Sequence, residues 1–446
     1  MIINYNKQFA LKNFLIDKIK KKNIRIGIIG LGYVGLPLAI NFCKKNLNVI
    51  GFDTDDFKIK KLNIGQSYIE RIKNKEIVDI KKNFHATRNF SSIRLCDVIV
   101  ICVPTPLTKN KKPDLSYLKS AIKKIYPYLK KGQLLSVEST TYPGTTKEIV
   151  LPIIKKKFEV GENFFISYSP EREDPGNKYF KTKNVPKIIS GLTENCLRIS
   201  ILFYKNVFKK LVPVSSTDAA EFTKLLENIY RSVNIGLVNE MKIIAHKMNL
   251  DIHEIIKAAA TKPFGYRPFT PGPGLGGHCI PIDPFYMSWK SKKLGYNPKF
   301  IMQSGKINSY MPIWTVNKIK KSFSKNKIDL KKSKILIVGI AYKKNVDDLR
   351  ESPALEVIEI LRKQQAKIAY YDPYVPKLYK NKKNNYSLKS IKLNKNNLIK
   401  YDAVVIITDH DNINYEIIKK NSKLLFDCRG RIEVPNSNIK SNVIPL

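Results

Sequence analysis

Three groups of residues have types and spacings that could do chemistry. The first is Gly30, Gly32 and Gly35, a G-x-G-x-x-G run that directly follows the apolar stretch IRIGII and opens a segment with helical spacing. In that position the glycines permit a tight turn, close approach of a pyrophosphate to the backbone, and close packing of helix on strand. Asp53 ends the next apolar run, NVIGFD. A carboxylate there accepts hydrogen bonds from ribose hydroxyls and repels a 2′-phosphate, so the expected cofactor is NAD rather than NADP. The second group is PGPGLGGHCIPIDP, residues 271–284, where a single thiol, Cys279, sits among glycines and prolines. A thiolate is a strong nucleophile, whereas a free cysteine more often packs as a small apolar group. Four residues on, Asp283 can orient polar neighbours or cap a turn before Pro284. The third group is Lys224, Asn228 and Arg231, spaced four and then three apart, which places all three on one helix face. An ammonium, an amide and a guanidinium suit a developing negative charge; a solvated face would show the same spacing.

These groups need elements to hold them. At 446 residues the chain is too long for one ordinary core and is expected to form two or three domains. Apolar strand-like runs at DVIVICVPTP, QLLSVEST and NFFISYSP alternate with helix-length segments, as in a parallel sheet covered by helices. The segment SSTDAAEFTKLLENIYRSVNIGLVNEMKIIAHKMNL reads as one long helix capped by Ser216 or Thr217. Beyond a lysine-rich stretch, KILIVGIAY, KIAYYD and DAVVIITD repeat the strand pattern around the helical SPALEVIEILRKQQ. The expected fold is α/β, with two Rossmann-like lobes joined by a long central helix and a helical middle domain. The expected boundaries are 1–214, 215–325 and 326–446. The second lobe keeps Gly339 but has no G-x-G-x-x-G, which argues against a second dinucleotide site.

A net charge of +43 would suit nucleic acid or an anionic membrane surface, but lysine, isoleucine and asparagine are abundant throughout and no nucleic-acid motif gathers the lysines. No specific nucleic-acid partner is expected; the positive field favours an anionic small substrate such as a nucleotide. No apolar run approaches bilayer length and the start lacks a secretory pattern, so no membrane insertion is expected and a cytoplasmic location is. Six cysteines without ligand spacing imply neither disulfides nor a metal site.

Taken together, GLGYVGLPLA, VPTP, ESTTYPGTT, SPEREDPG, AAEFTKLLENIYRSVNIGLVNE, PGPGLGGHCIPIDPFY and GIAYKKNVDDLRESPA resemble the UDP-glucose/GDP-mannose dehydrogenase family. They stand in the family's order and cover nearly the whole chain from about residue 24. The resemblance implies oxidation of the C6 primary alcohol of a nucleotide sugar to a carboxylate, with two NAD reduced in succession. An aldehyde intermediate cannot give up a second hydride until a nucleophile adds to it. A thiolate adds to form a thiohemiacetal, and its oxidation gives a thioester that water hydrolyses.

By that resemblance Cys279 is the nucleophile, Lys224 and Asn228 stabilise the oxyanion, Asp283 orients water or polar neighbours, and Glu171 handles protons through water. Thr140 lies near the nicotinamide and Thr105 along the cofactor cleft. Tyr33, Val34 and Lys58 join the glycines and Asp53 in holding NAD, and Arg350 reaches the cofactor from the second lobe. Arg172, Arg231, Gly276, Tyr342 and Lys343 are the expected substrate contacts. The segment KPFGYRPFTPGPGLGGHCIPIDPFY is most similar to the UDP-N-acetylglucosamine 6-dehydrogenase branch, which serves surface polysaccharide synthesis. UDP-N-acetylgalactosamine, UDP-N-acetylmannosamine and UDP-glucose stay open, as does, more distantly, a one-step hydroxyacid dehydrogenase. The family dimerises through its central helices, so a homodimer or higher homo-oligomer is expected. The basic leader before residue 24 lies outside the resemblance and carries no assigned role.

Overall fold

The computed structural model describes residues 2–69, 71–172, 184–277, 280–380, 385–432 and 442–446. The chain divides into two compact units: Met1–Glu227 with Phe285–Tyr296, and Asn228–Pro284 with Asn297–Leu446.

The first unit is built on an eight-stranded sheet of β1 (Arg25–Ile29), β2 (Asn48–Phe52), β3 (Phe84–Thr87), β4 (Val98–Ile101), β5 (Leu134–Val137), β6 (Phe165–Tyr168), β7 (Lys187–Gly191) and β8 (Leu211–Pro213). The order is β3-β2-β1-β4-β5-β6-β7-β8. Pairing is parallel except between β6 and β7. β4 (VIVI), β5 and β6 are buried at every residue, as strands covered on both faces must be, which is why they read as unbroken apolar runs. The strand order reverses between β1 and β4, and a crevice for ligands opens at the carboxyl ends of strands beside such a reversal. The glycine run leaves β1 at that point.

The leader is a helix, Ile2–Lys20, whose Leu15, Ile16 and Ile19 join the same core as Ile199 and Phe203. Lys18 anchors it by pairing with Asp97 at 2.6 Å.

In the second unit β9 (Lys334–Val338), β10 (Lys367–Tyr371), β13 (Ala403–Ile406), β14 (Leu425–Asp427) and β15 (Val443–Pro445) form an all-parallel sheet in the order β10-β9-β13-β14-β15. β11 (Lys377–Leu378) and β12 (Leu388–Lys389) make a short antiparallel pair. Helix Pro353–Lys363 starts at an N-cap, Ser352, and helix Lys299–Lys325 lays Met311, Val316, Ile319 and Phe323 against the core. The latter helix runs into the lysine-rich stretch that reads as a break in sequence, its charged positions facing out while one stripe stays apolar.

The long helix forms over Thr217–Lys247, with the Ser216 hydroxyl oxygen accepting from the Ala219 N–H at 3.1 Å. No helix among the described residues is long and apolar enough to cross a membrane.

One buried cation stands out in the second unit. Lys242 is 2 % exposed, donates to the Cys428 carbonyl oxygen at 3.2 Å and lies 5.7 Å from the Trp314 ring centre. Burial lowers its pKa to about 8, against a weaker opposing pull from Cys428 and Asp427. The unfolded chain, with an ordinary lysine, therefore binds more protons than the folded one between pH 8 and 10.5. Stability contributed by this site rises with pH across that window, by about 3 kcal/mol. Lys242→Met should gain stability at pH 7, and this gain over the parent, read by urea unfolding followed by tryptophan fluorescence, should shrink as pH rises from 8 to 10.5.

Candidate active site

In the first unit the turn after β1 depends on its glycines. Gly30 has φ of +91°, and a Cβ there would lie 2.7 Å from the Cys102 carbonyl oxygen; a Cβ on Gly35 would lie 1.9 Å from the Gly30 carbonyl oxygen. A Cβ on Gly32 would meet nothing within 4 Å. The turn is thus closed on its sheet side and open on its outer side, which fits a diphosphate resting on Gly32 and the helix Gly35–Cys43. Tyr33 and Val34 lie within the same turn, partly buried on the core. Tyr68 donates its hydroxyl to the Leu31 carbonyl oxygen and Arg71 donates to that of Tyr33, bracing the loop from outside.

Asp53, just past β2, accepts from the N–H of Leu31 at 2.9 Å and of Asp55 at 3.0 Å. Lys58 sits 3.3 Å from the same carboxylate. The glycine turn, Asp53 and Lys58 are therefore together, and the donor set fits a nucleoside diphosphate with its ribose on Asp53. Thr105 is buried, and its carbonyl oxygen accepts from the fully buried Tyr286 at 3.0 Å. Thr140 follows β5 and is partly exposed.

Glu171 and Arg172 lie just beyond the carboxyl end of β6. Lys224 donates to the Glu171 carbonyl oxygen at 2.5 Å, and the Glu171 carboxylate accepts from the Arg172 N–H at 2.8 Å. Arg172 pairs with Glu227 at 2.6 Å and donates to the Pro186 carbonyl oxygen at 2.7 Å. Glu171, Arg172 and Lys224 thus converge within this unit. The neighbouring Glu173 and Asp174 lie outside the described residues.

In the second unit Asn228 donates to Asp283 at 2.5 Å, both side chains being almost fully buried. This joins two residues 55 positions apart in sequence. Arg231 is exposed. Gly276 has no room for a side chain, because a Cβ would meet the Tyr342 Cβ at 2.6 Å and the Glu351 carbonyl oxygen at 2.9 Å. Gly277, with φ of +91°, packs under the Tyr342 ring and donates its N–H to the Arg350 carbonyl oxygen at 2.9 Å. The loop that bears Tyr342 and Lys343 thereby supports the glycine run leading to Cys279. Cys279 and His278 themselves lie outside the described residues. Arg350 clasps Asp348 with two guanidinium nitrogens, at 3.0 and 2.6 Å.

The other five cysteines are buried. Burial drives their pKa values up, to about 12 for Cys43 and Cys96 and about 11 for Cys428, so they stay as inert thiols.

Two features escape sequence reasoning. One is a buried group of charges behind Glu171. The other is Glu221, fully buried on the long helix, which accepts from the N–H of Gly144 at 2.7 Å and from the N–H and hydroxyl of Thr146 at 2.9 and 2.7 Å. Burial raises its pKa to about 7 despite these donors. Its signal in the sequence is weak, since a glutamate on a helix normally reads as solvated.

Residues 24–211, 218–310 and 336–434 match, in turn, the NAD binding, central and UDP binding domains described for the UDP-glucose/GDP-mannose dehydrogenase family. The chain is 32 % identical over 428 residues to the UDP-N-acetyl-D-glucosamine 6-dehydrogenase of Pseudomonas aeruginosa, covering 94 % of this chain and 100 % of the relative. It is 33 % identical over 424 residues to the UDP-N-acetyl-D-mannosamine dehydrogenase of Pyrococcus horikoshii, covering 92 % and 97 %. A solved structure of the UDP-D-ManNAc dehydrogenase from Pyrococcus horikoshii superposes with a TM-score of 0.83 at 31 % identity, covering 95 % of this chain and 99 % of that one.

Glu221 holds the loop that follows Thr140. Glu221→Ala leaves two N–H groups and a hydroxyl buried without their acceptor, and should cost about 2–3 kcal/mol in urea unfolding. A change below about 0.5 kcal/mol would show that the loop does not depend on it.

Proposed function

Because the chain belongs to the UDP-glucose/GDP-mannose dehydrogenase family, and so is an NAD-dependent oxidoreductase acting on a UDP-sugar, we propose that it oxidises C6 of UDP-N-acetylglucosamine to the carboxylate. The supporting observation is full-length similarity to enzymes of that name, together with the pairings Lys224–Glu171 and Asn228–Asp283 among residues chosen from sequence. The competing sugar is UDP-N-acetylmannosamine, favoured by relatives that carry that name at 33 % identity. A role in making a surface polysaccharide belongs to the same reading.

Bound NAD supplies the acceptor for hydride in each of the two oxidations. Gly30, Gly32, Tyr33, Val34, Gly35, Asp53, Lys58 and Thr105 hold it, with Arg350 contributing from the second lobe. Glu171 accepts the alcohol proton through water as the first hydride leaves and later activates water against the thioester. The Cys279 thiolate adds to the aldehyde, so that the thiohemiacetal carbon again carries a hydride to give up. Lys224 and the Asn228 amide donate to the oxygen that becomes negative, and Asp283, already bonded to Asn228, fixes which way that amide points. Thr140 lies near the nicotinamide, while Arg172, Arg231, Gly276, Tyr342 and Lys343 contact the substrate. The domains act as 1–214 for NAD, 215–325 for the thiol and assembly, and 326–446 for the UDP-sugar.

A panel of UDP-sugars assayed for NADH with product mass tests the sugar and the thiol together. UDP-N-acetylglucosamine should give two NADH per uronic acid, and Cys279→Ser should stall with little or no net turnover. Higher kcat/KM for UDP-N-acetylmannosamine would transfer the assignment to that sugar. One NADH per substrate, or an unaffected Cys279→Ser variant, would refute the thiol mechanism.

The expected homodimer has a candidate face. Phe222, Leu226, Tyr230, Leu237, Met241 and Ile244 recur at helical spacing along Thr217–Lys247 and are 43–54 % exposed. An apolar stripe of that length suits a second copy of the same helix. Sedimentation should show a dimer, and Leu237→Asp should shift it toward monomer; a monomeric parent would discard this interface.

A further inference from the structure

Behind Glu171 the first unit encloses an ion pair almost sealed from solvent. Lys187 opens β7 and Glu138 follows β5; their side chains are 3 % and 0 % exposed. The Lys187 ammonium donates to a Glu138 oxygen at 2.6 Å and to the Pro170 carbonyl oxygen at 3.3 Å, and its third neighbour is a Glu171 carboxylate oxygen at 3.8 Å. An ammonium has three N–H donors, and three oxygens surround this one. The second Glu138 oxygen accepts from the Tyr204 hydroxyl at 2.6 Å, and that hydroxyl lies 2.8 Å from the Ser136 hydroxyl. The rings of Tyr204 and Phe208 stand 5.4 and 5.2 Å from the ammonium. Burial opposes the charge on Lys187, yet Glu138 and Glu171 outweigh it and its pKa is raised.

Packing alone does not explain this arrangement, because well-packed apolar residues of similar volume fill such a space at least as stably as a buried ion pair. What apolar residues could not do is hold the two groups at the mouth of the cluster. Lys187 grips the residue before Glu171 by its carbonyl and approaches the carboxylate of Glu171 itself, while Lys224 takes the Glu171 carbonyl from the other side. Glu138 keeps Lys187 in place from behind with one oxygen and is itself held by the Tyr204 hydroxyl through the other.

We propose that Lys187, locked by Glu138, is a positioning residue for Glu171, fixing the backbone at Pro170 and the direction of the Glu171 carboxylate so that it stands ready as a proton acceptor. The inference rests on the proton-handling role proposed above for Glu171. It concerns residues on β7 and beyond β5 whose side chains are buried behind Glu171.

The test uses the full chain and the UDP-sugar that gives NADH in the panel. Lys187→Met should lower kcat by about tenfold or more while KM for NAD and for the sugar change by no more than about twofold. Lys187→Arg, which keeps the charge, should recover part of that loss. The decisive variant is Lys187→Met/Glu138→Gln, which removes both charges and leaves Tyr204 an acceptor. It should regain the thermal stability of the parent but not its kcat. If the double variant turns over at the parental rate, Lys187 serves only to neutralise Glu138 and the proposal is wrong; this arm decides the matter even where the single variant does not fold. A double variant that folds no better than the single one would also overturn it, since the pair would then be structural. Glu171→Gln separates the two ideas. A fast Glu171→Gln enzyme removes the role of Glu171 and with it the premise, whereas a slow Glu171→Gln beside a fast double variant removes only the positioning by Lys187.

Discussion

Buried parallel strands end in backbone N–H groups that must find an acceptor, and in both units of this protein carboxylates meet that requirement. Asp53 takes the N–H groups of Leu31 and Asp55, and Asp372 takes those of Ile340, Ala341, Tyr374 and Val375. Asp427 takes those of Arg429 and Ile432. Each carboxylate stands at a strand end and ties the loop after its own strand, or after a neighbouring one, to the sheet. The loops after the strands therefore inherit the rigidity of the sheet.

The same device has been turned to opposite ends in the two sheets. Asp53 keeps a remnant of exposure and has only Lys58 as a side-chain partner among the described hydrogen bonds and ion pairs. Asp372 is sealed by His410 at 3.1 Å, and the Asn345 N–H donates to the other ring nitrogen at 2.9 Å. That second bond requires an unprotonated acceptor nitrogen, so His410 carries its proton on the side facing Asp372. A ribose that would find an acceptor at Asp53 finds none at Asp372. Asp372 thus differs from Asp53 twice over: no G-x-G-x-x-G precedes it, and its carboxylate is already engaged by four N–H groups and His410.

What sequence reading reveals follows how local each feature is. The glycine turn and Asp53 are legible because one βαβ unit contains them, and the helix Thr217–Lys247 because its period is long and its cap plain. The pairing of Asn228 with Asp283 could be anticipated only through the family pattern, since 55 residues separate them. The Lys187–Glu138 pair was not legible at all. Lysine at a strand start and glutamate at a strand end are both ordinary, and only the sheet order, which sets β5, β6 and β7 side by side, converts them into one buried cluster. Nor could sequence show that Glu227 pairs with Arg172, because periodicity places Glu227 on the helix without saying which way it reaches.

The leader helix bears on what counts as one folding unit. The family pattern begins at residue 24, yet Leu15, Ile16 and Ile19 are as deeply buried as the strands they adjoin. Inheritance and cohesion therefore draw different edges around the same lobe: a chain started where the family pattern starts would leave Ile199 and Phe203 without part of their cover. The lobe would keep its glycine turn and Asp53, and lose part of the apolar surface that backs the sheet bearing them.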